Sequence, residues 1–301
     1  MPYRNLVIQN EARLSLKNRQ LRVQNDKTDV TLPIEDIDTI LIENRQTIVT
    51  TALLGALAQS GVAVFICDEY HLPCAVLTPF SQHSRQLEVA QKQLALSMPL
   101  KKQLWKQIVI SKIQNQAKCL VLCERQDSAN ELKLIAKQVR SGDAGHAEGH
   151  AAAKYFPALF GTGFTRSGTE DCRNSWLNYG YAIVRGCVAR SLSVYGFLPM
   201  FGLQHHSSLN QFNLADDFIE PYRQIVDLYT ATHASQGDGL TSNIKGGLVN
   251  LINYNIIING KRYALSRAVE LTVQSFSAVC AGRTKTLLLP NLDELNMHTY
   301  E

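Results

Sequence analysis

The segment from Gly202 to Arg223, GLQHHSSLNQFNLADDFIEPYR, carries the most informative pattern in the chain, and the rest is interpreted around it. A glycine-led turn presents His205, and a polar connection then leads into a short amphipathic run with three acids. Asp216 and Asp217 precede Glu220 by four and three residues, so a helix would place the acids on one face. Like charges on one face are unfavourable unless a positive group lies against them. The pattern therefore predicts a divalent cation at these acids, with His205 as a further ligand.

Composition and charge favour an ordinary soluble globular protein. Of the 301 residues, 45% are hydrophobic and 19% are charged, so the chain can bury one large core or two smaller ones. The formal net charge of +4 permits a nucleic-acid partner without requiring one. Seven scattered cysteines and no secretory signal favour reduced thiols, and no apolar run reaches membrane-spanning length. We expect a cytoplasmic protein with no membrane segment.

The N-terminal part of the sequence predicts a β-rich domain. Short apolar runs alternate with polar residues and are separated by Asn, Lys, Asp or Pro at the spacing typical of hairpins. Strands are predicted near residues 6–8, 13–16, 20–23, 30–33, 39–42, 63–67 and 74–78. A helix is predicted over Thr47–Ser60, with Gly61 at its end. We assign this domain to residues 1–78.

The pattern becomes helical after Pro79 and remains so nearly to the end of the chain. Breaks fall at prolines and at glycine-rich segments, and a long helix with few charges is predicted over 174–196. We assign residues 83–301 to a larger all-α domain and place the boundary between about 76 and 84. The predicted fold class is α+β, with a β-rich N-terminal domain followed by a helical catalytic domain.

Basic residues are concentrated between residues 81 and 140, where eleven Lys or Arg stand against four Asp or Glu. On helices, long basic side chains can follow a phosphate backbone, and Lys101, Lys102 and Lys106 are candidates for such contacts. A solvated helical face without any ligand produces the same pattern. The charge distribution alone does not separate these two interpretations.

Glu148 follows a glycine-rich break and is predicted to lie near the start of a helix. An acid at that position interacts favourably with the helix dipole, which is a purely structural role. His146 and His150 are four residues apart, a spacing that can bind zinc, but the sequence offers no obvious third ligand nearby.

The ligand types around His205 favour a hard cation over structural zinc. Asp216 and Asp217 suit the N-terminal turn of a helix, whereas Glu220 lies one turn further along, where that role does not apply. One histidine with two or three carboxylates is typical of Mg²⁺ or Mn²⁺. Such sites favour phosphoryl transfer, because the metal stabilises charge on the phosphate oxygens.

Three segments together resemble the CRISPR-associated integrase family, the universal endonucleases of spacer acquisition. EGHAAAKYF, which begins at Glu148, is similar to the first acidic motif of that family. DCRNSWLNYGYAIVR, which begins at Asp171, resembles its long central helix, and the segment from Gly202 resembles its histidine and second acidic motifs. The resemblance covers the whole chain and is greatest for the type II branch.

Carried over by position, the resemblance implies that Glu148, His205 and Glu220 are the catalytic metal ligands, with Asp217 in support. His206 adjoins the motif histidine, and the Gly-x-x-His spacing favours His205. The implied cofactor is Mg²⁺ or Mn²⁺.

The implied reaction is a transesterification in which the 3′-hydroxyl of a short DNA fragment attacks a phosphodiester at the leader–repeat junction, and then at the far end of the repeat. The resemblance also implies a homodimer formed largely through the N-terminal domains, with two dimers bridged by a small ferredoxin-like acquisition protein. Lys154, Arg166 and Tyr155 are then expected to help position double-stranded DNA.

Two alternatives remain at the level of the sequence. A general metal-dependent nuclease for branched or damaged DNA would use the same residues without integration. A non-catalytic DNA-binding scaffold would use Glu148, His205 and Glu220 for structure alone.

Overall fold

The computed structural model describes residues 4–69, 73–77, 85–166, 171–234 and 239–299. The chain divides into two compact units, Met1–Ser84 and Arg85–Glu301. Most of the predicted boundary segment lies outside the described residues. No helix of the described residues is both long and apolar enough to cross a membrane.

The N-terminal unit contains two four-stranded sheets and one helix. One sheet has the order β1-β5-β7-β8, with β1, β5 and β7 parallel and β8 antiparallel. The other has the order β4-β3-β2-β6. The elements are β1 (Arg4–Ile8), β2 (Arg13–Lys17), β3 (Gln20–Gln24), β4 (Asp29–Pro33), β5 (Ile37–Ile42), β6 (Ile48–Val49), α1 (Thr51–Gln59), β7 (Ala63–Cys67) and β8 (Pro73–Leu77).

The core of this unit is formed by the apolar positions of the alternating strands. Leu14 of β2 and Leu21 of β3 are almost completely buried, together with Leu53 and Leu57 of α1. The helix begins later than predicted, because Ile48–Val49 pairs with β2 as a short strand. Thr50 then caps the helix by accepting a hydrogen bond from the backbone N–H of Leu53.

The C-terminal unit is mostly helical, and the predicted α+β class is confirmed. Its helices are α2 (Gln86–Leu94), α3 (Met98–Leu122), α4 (Gln126–Lys137), α5 (Ala147–Phe160), α6 (Cys172–Val194), α7 (Asn213–Ile219), α8 (Arg223–His233), α9 (Ser242–Asn250) and α10 (Leu265–Cys280). A short 3₁₀ turn, Glu220–Tyr222, joins α7 to α8. The long helix predicted over 174–196 corresponds to α6.

The expectation of an all-α domain is wrong in one place, because β9 (Asn255–Ile258) and β10 (Lys261–Ala264) form an antiparallel hairpin. The connecting residues Asn259 and Gly260 both have positive φ, 51° and 73°. A two-residue Asn-Gly loop with positive φ at both positions matches the right-handed twist of the strands that it joins.

Helix α3 lies at the centre of the C-terminal unit and positions the candidate site. Trp105, Ile108 and Leu120 are among its buried apolar residues. Its buried Asn115 donates to the carbonyl oxygens of Pro221 and Pro290 over 2.7 and 3.0 Å. The helix therefore holds the turn that follows Glu220 through a hydrogen bond to the main chain.

Candidate active site

Glu148 lies in the first turn of α5, as predicted, and the start of that helix is set by Asp143. The two carboxylate oxygens of Asp143 accept hydrogen bonds from the backbone N–H groups of Ala147 and Glu148, over 2.9 and 3.1 Å. These N–H groups have no partner within the helix, so an acidic side chain satisfies them well. Asp143 therefore fixes the position from which the Glu148 side chain extends.

His205 is held by Asp217, which is fully buried on α7. The imidazole Nδ1 lies 2.7 Å from Asp217 Oδ1. The same carboxylate accepts hydrogen bonds from the backbone N–H groups of Leu203, Gln204 and His205. The hydrogen bond with Asp217 raises the pKa of His205 above its usual value. With Nδ1 engaged in this way, Nε2 is the ring nitrogen that can bind a cation.

Two further contacts shape the turn that carries His205. A Cβ at Gly202 would approach the carbonyl oxygen of His205 and would lie 2.8 Å from Asp217 Oδ2, so only glycine fits there. The ring of Trp105, on α3, meets the imidazole edge to face at 5.8 Å. Close backbone approach on one side and an aromatic ring on the other define the orientation of His205.

Asp216 has a separate role. Its carboxylate forms a two-pronged ion pair with the guanidinium of Arg185, over 2.6 and 2.9 Å, and accepts from Asn210. Asn213 donates to the carbonyl oxygens of Met200, Ser207 and Asn210 and so closes the same loop. Asp216 therefore stabilises the connection between α6 and α7.

Glu148 and Glu220 converge on one ammonium group. Lys112 Nζ, on α3, lies 2.5 Å from Glu148 Oε1 and 2.5 Å from Glu220 Oε2. The two carboxylates come from elements that are distant in the sequence, and they approach to within about 5 Å through this shared partner. Only 12% of the Lys112 side chain and 7% of the Glu220 side chain are exposed, so water screens the ion pair weakly.

Glu220 also accepts a hydrogen bond from Arg223, whose Nε lies 3.0 Å from Oε1. Burial opposes ionisation of Glu220, but the charges of Lys112 and Arg223 outweigh it and lower the pKa to about 2. Burial likewise opposes ionisation of Lys112, and the two glutamates raise its pKa above the usual value. The site therefore brings two acidic side chains together with two basic ones.

A buried network lies behind these charges. Asp227 on α8 accepts hydrogen bonds from the hydroxyls of Tyr181 on α6 and Tyr155 on α5, the latter over 2.9 Å. Burial raises the pKa of Asp227 to about 6, and the two tyrosine hydrogen bonds oppose that rise. The guanidinium of Arg223 lies 4.6 Å above the Tyr181 ring, and that of Arg166 lies at 5.2 Å. The network connects the helix of Glu148 with the helix that follows Glu220.

The donor chemistry of the site suits a hard divalent cation. Carboxylate oxygens are the preferred ligands of Mg²⁺, and a histidine that is oriented by a carboxylate is a common additional ligand. Among the described residues, however, no group of three or more His, Cys, Asp or Glu side chains is arranged to hold a metal ion. In the observed arrangement, the space between Glu148 and Glu220 is taken by Lys112.

The predicted site residues thus form two groups. Glu148 and Glu220 meet through Lys112, and His205 is joined to Asp217. His206 is exposed, and it is His205 that contacts Asp217 and Trp105. The face predicted to hold all three acids is not formed, because Asp216, Asp217 and Glu220 each bind a different partner.

The residues proposed for DNA contacts differ in their surroundings. Lys102 is exposed and Lys101 and Lys106 are half-buried along α3. Lys154 is exposed and pairs with Glu131 over 2.5 Å. The guanidinium of Arg166 donates to Asn174 and Asn178. The expectation for Tyr155 is wrong, because its side chain is fully buried and bound to Asp227.

Sequence reasoning missed the residues that support the site. Lys112 counted only as one member of a basic segment, and Trp105 carried no motif. Arg223 ends the 202–223 segment, but no role was assigned to it. Asp143, four residues before Ala147 at the start of α5, offered the one local signal, since aspartate is favoured at helix N-termini.

Comparison with known proteins places the chain in a family. Residues 6–239 match the family model of the CRISPR associated protein Cas1. The CRISPR-associated endonuclease Cas1 of Neisseria meningitidis serogroup C (strain 8013) is 45% identical over 305 aligned positions, which cover all of both chains. The chain belongs to the Cas1 family.

Two solved structures share the fold at low sequence identity. A casposase bound to an integration product is 19% identical, with a TM-score of 0.75, over 95% of this chain and 92% of the other. A chain of a Cas6-RT-Cas1–Cas2 complex is 21% identical, with a TM-score of 0.73, over 97% of this chain and 36% of the other.

Proposed function

We propose that the chain is a metal-dependent DNA endonuclease and integrase that inserts short DNA fragments into a CRISPR array by attack of a 3′-hydroxyl on a phosphodiester. The convergence of Glu148 and Glu220, together with an oriented His205, in a chain of the Cas1 family, carries this proposal. The name of the Neisseria relative, an endonuclease, supports DNA cleavage. The casposase bound to an integration product supports strand transfer.

Glu148, Glu220 and His205 would hold Mg²⁺ or Mn²⁺, which when bound activates the attacking hydroxyl and neutralises charge on the phosphate. The protein's own contribution is orientation. Asp143 sets the start of the Glu148 helix, and Asp217 presents His205 through its Nε2 edge. Asp217 is a positioning residue here, because both of its oxygens bind donors of the histidine turn.

The proposed partners follow the same reasoning. Double-stranded DNA is the substrate, and Lys101, Lys102, Lys106 and Lys154 are candidates for phosphate contacts. A Cas6-RT-Cas1–Cas2 complex among the structural neighbours supports a Cas2-like partner, for which a small ferredoxin-like protein is proposed. We also propose that the chain dimerises through its N-terminal unit and belongs to the type II branch.

Strand transfer of a labelled short duplex into a repeat-bearing plasmid tests the function directly. The reaction would contain the full chain and the small partner protein, with Mg²⁺ or Mn²⁺ compared with EDTA. We expect a joined product that requires metal and falls at least about 100-fold in His205→Ala, since even changes behind a metal ligand cost about 10–100-fold. His206→Ala is the matched control and should retain the product.

The other outcomes separate the alternatives. Nicked plasmid without joining would favour a general nuclease that uses the same residues. DNA binding without any product, under either metal, would favour a non-catalytic scaffold. Equal loss in His205→Ala and His206→Ala would contradict the assignment of His205 as the ligand.

A further inference from the structure

Lys112 forms an ion pair with both acids of the candidate site. Its ammonium lies 2.5 Å from an oxygen of each carboxylate, and its side chain is 12% exposed. None of the segments that carry the family resemblance includes it. The family resemblance therefore assigns no role to Lys112, although its ammonium group lies between the two acids.

The ammonium and a divalent cation compete for the same space. A Mg²⁺ ion bound by these two oxygens would lie about 2.0–2.1 Å from each. Because Lys112 Nζ lies 2.5 Å from the same oxygens, the two positive centres would be within about 5 Å of each other on any arrangement. Their repulsion in a weakly screened site disfavours simultaneous occupancy.

We propose that Lys112 is a positioning residue that takes the place of the cation in the metal-free protein, holds Glu148 and Glu220 together, and leaves the carboxylates when a divalent metal binds. This inference rests on the proposed function only in requiring a cation at these two acids. In the metal-free protein the position between the two carboxylates is occupied by the Lys112 ammonium group, and a divalent metal ion competes for that position.

The chemistry of the two cations explains why Lys112, and not Arg223, is displaced. A lysine carries a compact charge on a flexible four-carbon stem, so it can leave without movement of its helix. The Arg223 guanidinium is held between Glu220 Oε1, at 3.0 Å, and the face of Tyr181, at 4.6 Å. Arg223 can therefore stay in place and keep Glu220 oriented.

Removing the lysine charge is expected to tighten metal binding. In Lys112→Met, the Kd for Mn²⁺ should fall about tenfold or more, because the competing charge is absent. Lys112→Arg, which keeps the charge, should bind Mn²⁺ no more tightly than the wild type. Lys92→Met is the matched control, since Lys92 pairs with Glu88 over 2.6 Å on an exposed helix face, and it should leave the Kd unchanged.

The measurement is the concentration of free Mn²⁺, followed by electron paramagnetic resonance during titration of the full chain without DNA. Tighter binding in Lys112→Met than in the wild type supports the proposal, as does binding in Lys112→Met when the wild type binds none. Equal or weaker binding in Lys112→Met overturns it. Absence of Mn²⁺ binding in every variant also overturns it, because no cation would then exist for Lys112 to replace.

A second measurement on the wild type avoids a variant that fails to fold. An amine-acetylating reagent should modify Lys112 slowly in the metal-free protein and several-fold faster with saturating Mn²⁺, as read from the peptide masses. Lys92 provides the internal control for reagent reactivity. A Lys112 rate that stays the same or falls, while Mn²⁺ binds, would contradict displacement of the ammonium.

The two proposals can fail separately. Metal binding and lysine labelling require no DNA and no strand transfer, so they judge Lys112 even if the chain makes no joined product. Conversely, metal-dependent joining by the wild type, together with unchanged Mn²⁺ affinity in Lys112→Met, would retain the integrase and reject the role of Lys112.

Discussion

Replacement of the buried Asp227 by asparagine should change the pH dependence of stability in a defined direction. In the folded protein the pKa of Asp227 is raised to about 6 from the ordinary 3.8, chiefly by burial. Below pH 3.8 the carboxyl is protonated in both the folded and the unfolded chain, and it has no effect. As the pH rises to about 6, only the unfolded chain ionises easily, so the free energy of unfolding falls.

The size of this effect follows from the two pKa values. One pKa unit corresponds to about 1.4 kcal/mol, so the gap between 3.8 and about 6 corresponds to about 3 kcal/mol. The cost is fully present above pH 6 and absent below pH 3.8. An asparagine side chain carries no charge at any pH, so the variant Asp227→Asn should lack this component. The difference in stability between wild type and variant should therefore shift by about 2–3 kcal/mol, in favour of the variant, as the pH rises from about 4 to 7.

Tryptophan fluorescence reports on the unfolding of the C-terminal unit, which contains Asp227. Both tryptophans of the chain, Trp105 and Trp176, are buried in the C-terminal unit. Urea unfolding of wild type and Asp227→Asn, at several values between about pH 4 and pH 7, gives the difference in free energy of unfolding at each pH. Other titrating groups contribute equally to both proteins and cancel in that difference.

A second variant, Tyr181→Phe, tests how the hydrogen bond from Tyr181 affects the pKa of Asp227. Its hydroxyl bonds to the Asp227 carboxylate, and this hydrogen bond lowers the pKa of Asp227. Its removal should move the transition to a pH above 6. Parallel stability curves for wild type and Asp227→Asn would refute the raised pKa, and a transition that moves to lower pH in Tyr181→Phe would refute the assigned hydrogen bond.

Two further predictions concern the histidine turn. Asp217→Asn should lower the pKa of His205, because the hydrogen bond that the imidazole makes to the Asp217 carboxylate raises it, and NMR titration of the ring protons would show the shift or its absence. Gly202→Ala should destabilise the C-terminal unit by about 1–3 kcal/mol in urea unfolding, because its Cβ would lie 2.8 Å from Asp217 Oδ2. Gly149→Ala is the control, since its Cβ meets nothing within 4 Å and a helical alanine should add up to about 1 kcal/mol; equal losses in both variants would contradict the steric argument.

Local periodicity explains why the N-terminal strands were predictable. Strands β2 and β3 are neighbours in sequence and pair from Lys17–Gln20 outward, so their alternation and their turn lie within one short window. The hairpin of β9 and β10 was missed although Asn259-Gly260 is a strong hairpin signal. Its run of isoleucines was absorbed into a helical pattern, because short apolar runs do not distinguish a strand from a buried helix.

In the candidate site, too, some residues could be predicted from the sequence and others could not. Glu148, His205 and Glu220 could be named as candidates because the segments that contain them resemble motifs of the family. The shared partner of Glu148 and Glu220, Lys112, could not be named from the sequence. It lies 36 residues before Glu148 in the chain, and it reaches Glu220 only through the packing of α3. Eleven basic residues share that region, and no local pattern indicates which one turns inward. Asp216, Asp217 and Glu220 were expected to share one helix face. Each instead has its own partner, which is set by tertiary packing and cannot be predicted from local sequence.

Charge balance connects these features. The formal charges of Glu148 and Glu220 are balanced by those of Lys112 and Arg223 in the metal-free site, so the buried carboxylate of Glu220 is compensated. A divalent metal added to that arrangement would leave an excess of two positive charges in a weakly screened region. If Lys112 leaves, the excess falls to one positive charge, which the single negative charge of one phosphodiester would balance. On this reasoning, displacement of Lys112 is what would make the site complementary to DNA, because the same event that admits the metal leaves one charge for the substrate to neutralise.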